Sequence, residues 1–240
     1  MNKPKQGFKN LYFPILFILL IGGIGVQTLT SCSRSPPPPG SQFNTNISHT
    51  SFTDSRDGKT YKIVEIGEQT WMAENLNYYT GVSKCYEDEP DNCKTYGRLY
   101  DWQTALNACP SGWHLPSDEE WKALEKAVGG VGEAGKKLKA GSDWRKVNRK
   151  VEGSGTDEFG FSALPGGFYG KTDCSIFLLL IKHYYSCDDF RDVGLGGDWW
   201  SATENNSSNA WERSIRYTDS SVSRTNNGKG YLYSVRCVQD

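Results

Sequence analysis

Cys109-Pro110-Ser111-Gly112-Trp113-His114-Leu115-Pro116-Ser117-Asp118-Glu119-Glu120-Trp121 is the stretch on which the fold reading turns. Just upstream, Trp102, Ala105, Leu106 and Cys109 fall at i, i+3, i+4 and i+7, one apolar face of a helix that Pro110 and Gly112 end. Downstream, Ser117 with Glu120 three residues later is a capping box, in which each side chain satisfies a free backbone amide. Trp121, Leu124 and Val128 continue on one face, and Gly129-Gly130 stops this second helix.

Strands flank the helical pair. Lys59 to Ile66 (KTYKIVEI) is β-branched and roughly alternating, and Gly67-Glu68 is a turn signal before Gln69-Thr70-Trp71-Met72, so a hairpin is expected. Cys85 and Cys93 bracket an acidic, turn-rich segment from Tyr86 to Asn92, a spacing that suits a local staple. Beyond Gly141 the chain reads as loops and short strands rich in glycine and aromatics. Cys174 and Cys187 flank the apolar run Ile176 to Ile181, which reads as a stapled hairpin or loop insertion. Trp211, Arg213, Ile215 and Tyr217 alternate with polar residues, Asn226-Asn227-Gly228 reads as a turn, and Tyr231 to Val238 as the last strand. Tyr231, Tyr233, Val235 and Cys237 then share one face, which sets Cys237 against the core.

The first thirty-odd residues belong to neither helices nor strands of a domain. Lys3, Lys5 and Lys9 precede an apolar run from Leu11 to Val26, with no acid before Cys32, the layout of a secretory signal. Leu29-Thr30-Ser31-Cys32 resembles the lipobox of bacterial lipoproteins, whose cysteine thiol receives a diacylglyceryl group and becomes the new N-terminus. Ser33 after it resembles outer-membrane sorting. Pro36 to Pro39 open a tether running to about Thr50, stiff at its start and reaching some tens of ångströms at ~3 Å per residue. His49 falls in that tether and is expected to be solvated. The expected layout is a signal peptide at 1–31, a lipid-anchored tether at 32–51 and one domain at 52–240.

Losing the signal leaves 24 basic against 28 acidic residues, a net charge of −4, which makes no electrostatic case for a nucleic-acid partner. Six cysteines remain once Cys32 carries lipid: Cys85, Cys93, Cys109, Cys174, Cys187 and Cys237. In an exported chain they read as three disulfides, with fifteen pairings open.

Seven pieces in order resemble the Fibrobacter succinogenes major paralogous domain family. They are Asp57 to Tyr61, Gly67 to Leu76 (GEQTWMAENL), Tyr96 to Tyr100 (YGRLY), Cys109 to Pro116 (CPSGWHLP), Gly160 to Gly167 (GFSALPGG), Trp199 to Glu204 (WWSATE) and Ser234 to Val238 (SVRCV). Residues from about 170 to 192 depart from that pattern and read as an insertion particular to this chain. The layout is also similar to the C-type lectin-like fold, an α+β class with two helices packed on short antiparallel sheets with long loops. That resemblance implies the pair Cys109–Cys237, leaving Cys85–Cys93 and Cys174–Cys187 as local pairs.

No catalytic constellation emerges. A Cys–His dyad of Cys109 and His114 requires a free thiolate, and His114 reads as a structural hydrogen-bonding residue. Cys174, His183 and Cys187 lack an evident fourth zinc ligand. Glu89-Pro90-Asp91-Asn92 precedes both helices, whereas the calcium motif of sugar-binding C-type lectins follows them. No metal or cofactor is therefore expected. Asp118, Glu119 and Glu120 are explained by the helix dipole. Trp199, Trp200, Trp211 and Tyr169 lie in or beside the loop-rich part where this fold binds ligands, and are the candidate ligand surface.

The expected function is a non-enzymatic binding or adhesion module of the cell envelope for glycan or protein, held to the membrane through Cys32. The alternatives are a structural envelope protein without a small ligand, or an enzyme related to the formylglycine-generating proteins, whose reactive cysteine pair maps onto nothing here. Cys32→Ser is expected to release or mislocalise the protein with its domain still folded. Unchanged partitioning into membrane fractions would count against the lipid anchor.

Overall fold

The computed structural model describes residues 47–145, 153–178 and 181–240, with 173–178 and 181–185 described as backbone. The signal peptide, Cys32 and most of the tether lie outside them. The described part is α+β, with two sheets flanked by short helices.

The first sheet begins with β1 (Thr50–Thr53), β2 (Thr60–Ile66) and β3 (Gln69–Met72), antiparallel in sequence order. The expected hairpin of β2 and β3 is present, pairing Val64 with Trp71 and Ile66 with Gln69. Its turn passes through Gly67 at φ +65°, where a Cβ would meet the Ala127 Cβ at 3.0 Å. Glycine is needed there twice, for the positive φ and for the close approach to a helix. The domain starts earlier than expected. Ile47 packs on the main core, and the His49 ring bonds the Gly160 carbonyl through Nε2 at 2.8 Å, so His49 is held by the domain rather than solvated.

The four helices are α1 (Pro90–Tyr96), α2 (Trp102–Ala105), α3 (Asp118–Ala127) and α4 (Val131–Leu138). The capping box forms as expected, with Ser117 Oγ accepting from Glu120 N–H and Glu120 Oε2 accepting from Ser117 N–H. Trp121, Leu124 and Val128 are buried as one stripe. The helix expected through Cys109 is shorter: it ends at Ala105, and Asn107 and Ala108 donate to Thr104 and Ala105, three residues back. These tighter turns replace the last helical turn ahead of Pro110, which disfavours helical backbone before it. The segment between Cys85 and Cys93, expected as turns, holds a 3-10 turn (Tyr86–Asp88) and the start of α1, with Pro90 at its first position. No sequence signal pointed to α4.

The segment from about 170 to 192 lies within a long hairpin of β6 (Gly166–Leu178) and β7 (Ile181–Val193), paired from Gly166↔Val193 to Leu178↔Ile181. The second sheet contains β4 (Leu99–Tyr100), β8 (Gly196–Glu204), β9 (Asn209–Arg216), β10 (Ser223–Gly228) and β11 (Tyr233–Ser234), in the order β10-β9-β8-β11-β4. Asn226-Asn227-Gly228 belongs to β10 rather than to a turn. Ladder pairing with Trp211, Ala210 and Asn209 takes up its backbone groups, and Asn209 Nδ2 donates to Asn226 Oδ1 at 3.0 Å. The turn into the last segment follows at once, through Lys229 and Gly230, with the Tyr231 N–H donating to the Gly228 carbonyl at 3.0 Å.

The expected last strand divides. Tyr233–Ser234 pairs in the second sheet, while β12 (Val238–Gln239) inserts in the first between β3 and β5 (Trp113–His114). The shared face survives the break, since Tyr233, Val235 and Cys237 line one core cluster with Tyr231 partly buried beside them. The chain end thus stitches the two sheets together.

Cys109–Cys237 spans 128 residues and Cys85–Cys93 spans 8. Cys187 is also disulfide-bonded, and its register places Cys174 diagonally across the hairpin, though the Cys174 side chain lies outside the described residues. Closing the long loop contributes ~5 kcal/mol in the chain-entropy model, against ~2.5 kcal/mol for the short one. Denaturant unfolding of Cys109→Ala/Cys237→Ala should therefore show about twice the stability loss of Cys85→Ala/Cys93→Ala. The reverse ranking would mean that the long bridge is not what closes the domain.

Candidate functional site

Five of the seven quoted sequence pieces meet at one buried point. Asn75 Oδ1 accepts from Trp199 Nε1 at 2.9 Å and from Arg236 Nε and Nη2 at 3.1 and 2.9 Å. Its amide nitrogen donates to the Tyr96 carbonyl at 2.9 Å and to Ser234 Oγ at 3.3 Å. Arg236 is fully buried, lies over the Phe161 ring at 4.3 Å and donates to the carbonyls of Phe161 and Ser162. Among the described residues no carboxylate pairs with it. Burial pushes its guanidinium down to about 9, so it remains charged at neutral pH. This point holds the sheets in register and offers no surface.

Trp199 and Trp200, expected on the ligand surface, are both buried at 0 % exposure. Neighbours on a strand point to opposite faces, and here each face is covered. Trp199 joins the cluster of Trp71, Trp121 and Phe161, whereas Trp200 joins that of Tyr100, Trp113 and Tyr233. Each indole N–H is used internally, by Asn75 Oδ1 and by the Tyr100 carbonyl at 2.8 Å. Trp211 is half-buried beneath the Arg224 guanidinium at 3.3 Å, near the β10 edge of the second sheet. Tyr169 packs on Phe190 with ring centres 4.8 Å apart. The four candidates do not converge on one surface.

The buried charges on β8 and β9 are structural partners of α3 and of each other. Arg213, with no exposure, donates to Asp118 Oδ1 at 2.9 Å and to Glu125 at 2.5 Å, and Arg224 grips both Asp118 oxygens. Burial opposes ionisation of Asp118, yet hydrogen bonds from Arg224, Lys122 and Arg213 hold it well below the usual carboxylate range. The helix dipole is thus a small part of why an acid stands there. His114 joins Glu120 Oε1 through Nε2 at 2.7 Å and Asp240 through Nδ1 at 2.6 Å, so it ties the capping box to the chain end. Burial works against protonating it, and the hydrogen bonds to Asp240 and Glu120 raise its pKa overall. The sulfur of Cys109 is spent in a disulfide, so His114 has no thiolate beside it. Cys187 is oxidised likewise, and the His183 side chain is outside the described residues. Among the described residues no group of three or more His, Cys, Asp or Glu side chains could hold a metal ion.

The open part of the surface lies at the other end of the second sheet from Trp211. After Asn75 and Leu76, residues 77–83 loop outward, and Tyr79 and Val82 are each 59 % exposed. Arg98 stacks under Tyr79, its guanidinium 4.8 Å from the ring centre, and donates through Nη1 to the Ser83 carbonyl at 3.2 Å. Beside it opens a cleft of about 360 Å³, lined by Lys59, Asn77, Ser83, Lys84, Lys94 and Arg98 among others. Tyr169 touches this region through Lys84, whose Nζ lies 5.3 Å from the Tyr169 ring centre. Neither Tyr79 nor Arg98 figured among the candidates. The signal available was the Tyr78-Tyr79-Thr80-Gly81-Val82 run, polar and apolar residues mixed with no period that buries them.

One buried carboxyl is a pH handle on the fold. Asp198 is paired twice with Arg216, at 2.8 and 3.0 Å, while Glu212 accepts from Thr225 and keeps Oε2 buried without a partner. Burial, and then the charge of Asp198, push the Glu212 carboxyl from its ordinary 4.5 up to about 8. The unfolded chain loses that proton near 4.5 and the folded chain only near 8, so the contribution of Glu212 to stability falls as pH rises across that window and is level above it. Glu212→Gln should flatten the pH dependence of the unfolding free energy between about pH 5 and 8. An unaltered slope would show that Glu212 is ionised in the folded protein.

No curated relative and no solved structure matches the chain. The model of the Fibrobacter succinogenes major domain matches residues 64–239, which takes in the second sheet, the first sheet from Val64 onward, the four helices of the described residues and the Asn75–Arg236 contact. The chain belongs to the Fibrobacter succinogenes major domain family.

Proposed function

We propose that this chain is a lipid-anchored, non-enzymatic binding module of the cell envelope, its α+β domain a variant of the C-type lectin-like fold and its ligand a glycan or an envelope protein. The fold reading is supported by the disulfide that joins the end of the α2 segment to the last core residue before β12, and by the capped helix that follows. The anchor reading rests on the signal-like N-terminus and Cys32. Among the described residues no helix is long and apolar enough to cross a membrane.

One observation carries the binding reading. Tyr79 and Val82 both expose apolar surface on the loop beside an open cleft, Tyr79 against the cleft-lining Arg98, and among the described residues Tyr79 is the one aromatic so exposed. Hydrophobic surface left in water beside a concavity is the usual mark of a contact site. Tyrosine suits such a role because its rigid ring makes contact area at low entropic cost. The nearby Tyr169, held by Phe190, extends the aromatic margin.

The full chain in detergent, immobilised and exposed to solubilised envelope and to a glycan array, should retain a ligand. Tyr79→Ala/Val82→Ser should lower that retention at least ten-fold with unchanged near-UV circular dichroism. Equal retention by the variant, or none by the parent, would overturn the reading.

A further inference from the structure

The cleft next to Tyr79 has a charge that the overall composition conceals. The mature chain is acidic on balance, but four cations, Lys59, Lys84, Lys94 and Arg98, line this one concavity against Asp88 alone. Like charges gathered in a concave surface focus their field into it, so the cleft is a local attractor for anions on an otherwise acidic molecule.

The cations are available to a ligand. Among the described residues Arg98 has no ion-pair partner, and its Nε is buried without a hydrogen-bond partner. Lys84 and Asp88 form an i,i+4 pair at 3.2 Å with side chains 35 % and 63 % exposed, and Lys94 and Asp91 form a yet more exposed one. Such surface pairs contribute little and exchange readily. Lys59 is held more closely, by Asp57 at 2.9 Å and by the Asn77 carbonyl at 2.5 Å. An incoming carboxylate or sulfate therefore meets an unpaired Arg98 and two exposed, exchangeable lysine pairs before it reaches Lys59.

A second, adjoining concavity shares Lys59, Asn77, Cys93 and Lys94 with the first and adds Thr60 and Thr95, so the two form one groove. Its walls carry hydroxyl and amide groups between the cations, together with the Glu74 carboxylate and the apolar Ala73 and Leu164. Such a surface pairs with a ligand that is both hydroxylated and charged. At the lip, Arg98 covers one side of the Tyr79 ring while the residue stays 59 % exposed, which leaves ring surface for stacking. Aromatic faces in water pack well on the C–H faces of sugar rings, and a cation behind the ring keeps it in place.

We propose that this groove binds an acidic oligosaccharide, with Arg98, Lys84, Lys59 and Lys94 holding its carboxylate or sulfate groups and Tyr79 stacking on a sugar ring. The assignment rests on the binding-module reading above and narrows its ligand. Arg98 is the central contact, because it joins Tyr79 at the lip to the charged floor.

The test is titration of the full chain in detergent with matched probes. Oligogalacturonate is compared with its methyl ester, and dextran sulfate with dextran, so each pair differs in charge while the sugar stays the same. Polyglutamate is the peptide control. The expected result is binding of a charged saccharide, carboxylated or sulfated, at least ten-fold tighter than its uncharged partner and weakening as salt screens the charges. Arg98→Gln should weaken it about ten-fold, the effect of losing one charge-assisted contact. Lys84→Gln, at a more exposed position, should weaken it several-fold and serves where Arg98→Gln disturbs folding. Tyr79→Ala should weaken saccharide binding and leave polyglutamate unaffected. Equal binding of charged and uncharged partners, no binding of either acidic saccharide, polyglutamate binding as tight as the saccharides, or no effect of both charge variants would each overturn the proposal. Envelope retention lost on Tyr79→Ala/Val82→Ser would then still uphold the binding module with another ligand, so the two readings fail separately.

Discussion

Arg236 sits in the interior of this domain, among the described residues no carboxylate pairs with it, and the structure is arranged around keeping it satisfied. A buried charge stripped of its hydrogen-bond partners costs several kcal/mol, a large share of what any domain of this size has in hand. Here the partners are the Asn75 side chain and the carbonyls of Phe161 and Ser162. Asn75 in turn fixes Trp199, the Tyr96 carbonyl and Ser234. A residue between two sheets, a loop after β3, the end of α1 and the middle of β8 are thus held by one amide. Moving any of them leaves a polar group buried and unpaired, which is why the arrangement is a single solution and not a family of them.

From that point the two cores follow. The strand through Trp199 and Trp200 must place one indole on each face, and the chain covers both faces with aromatic clusters. That strand and its neighbour β9 carry charges inward, Arg213 toward α3 and Asp198 with Glu212 on the other face, each answered by a partner or by protonation. The long disulfide closes the same region from the side, joining the end of the α2 segment to the residue following Arg236. With the aromatics and most charges so committed, little is left for the surface, and that makes the exposed Tyr79 beside four cations stand apart.

Several features were readable along the chain because they are local. The capping box of α3 needs only Ser117 and Glu120 three apart, and the β2–β3 turn needs only a glycine between alternating runs. The short helix α2 escaped because its apolar spacing continues to Cys109 while Pro110 has already turned the backbone aside. The shared face of Tyr233, Val235 and Cys237 was legible from alternation, but the break between sheets was not, since both halves keep the same period. Asn226-Asn227-Gly228 carries a strong turn signal that a neighbouring strand outbid. Trp199 and Trp200 read as exposed for a similar reason: tryptophan in a loop-rich stretch looks the same whether covered or open.

By itself the sequence determined the α3 cap, the first hairpin, the inserted hairpin and, through seven ordered motifs, the family. All of these depend on residues close in the chain or on motif identity. Tertiary structure alone decided that Trp199 and Trp200 are core, that Asn75 and Arg236 meet across 161 positions, and that Lys59, Lys84, Lys94 and Arg98 line one cleft. Burial and charge clustering are properties of what lies opposite a residue in space, and a one-dimensional pattern carries no record of that.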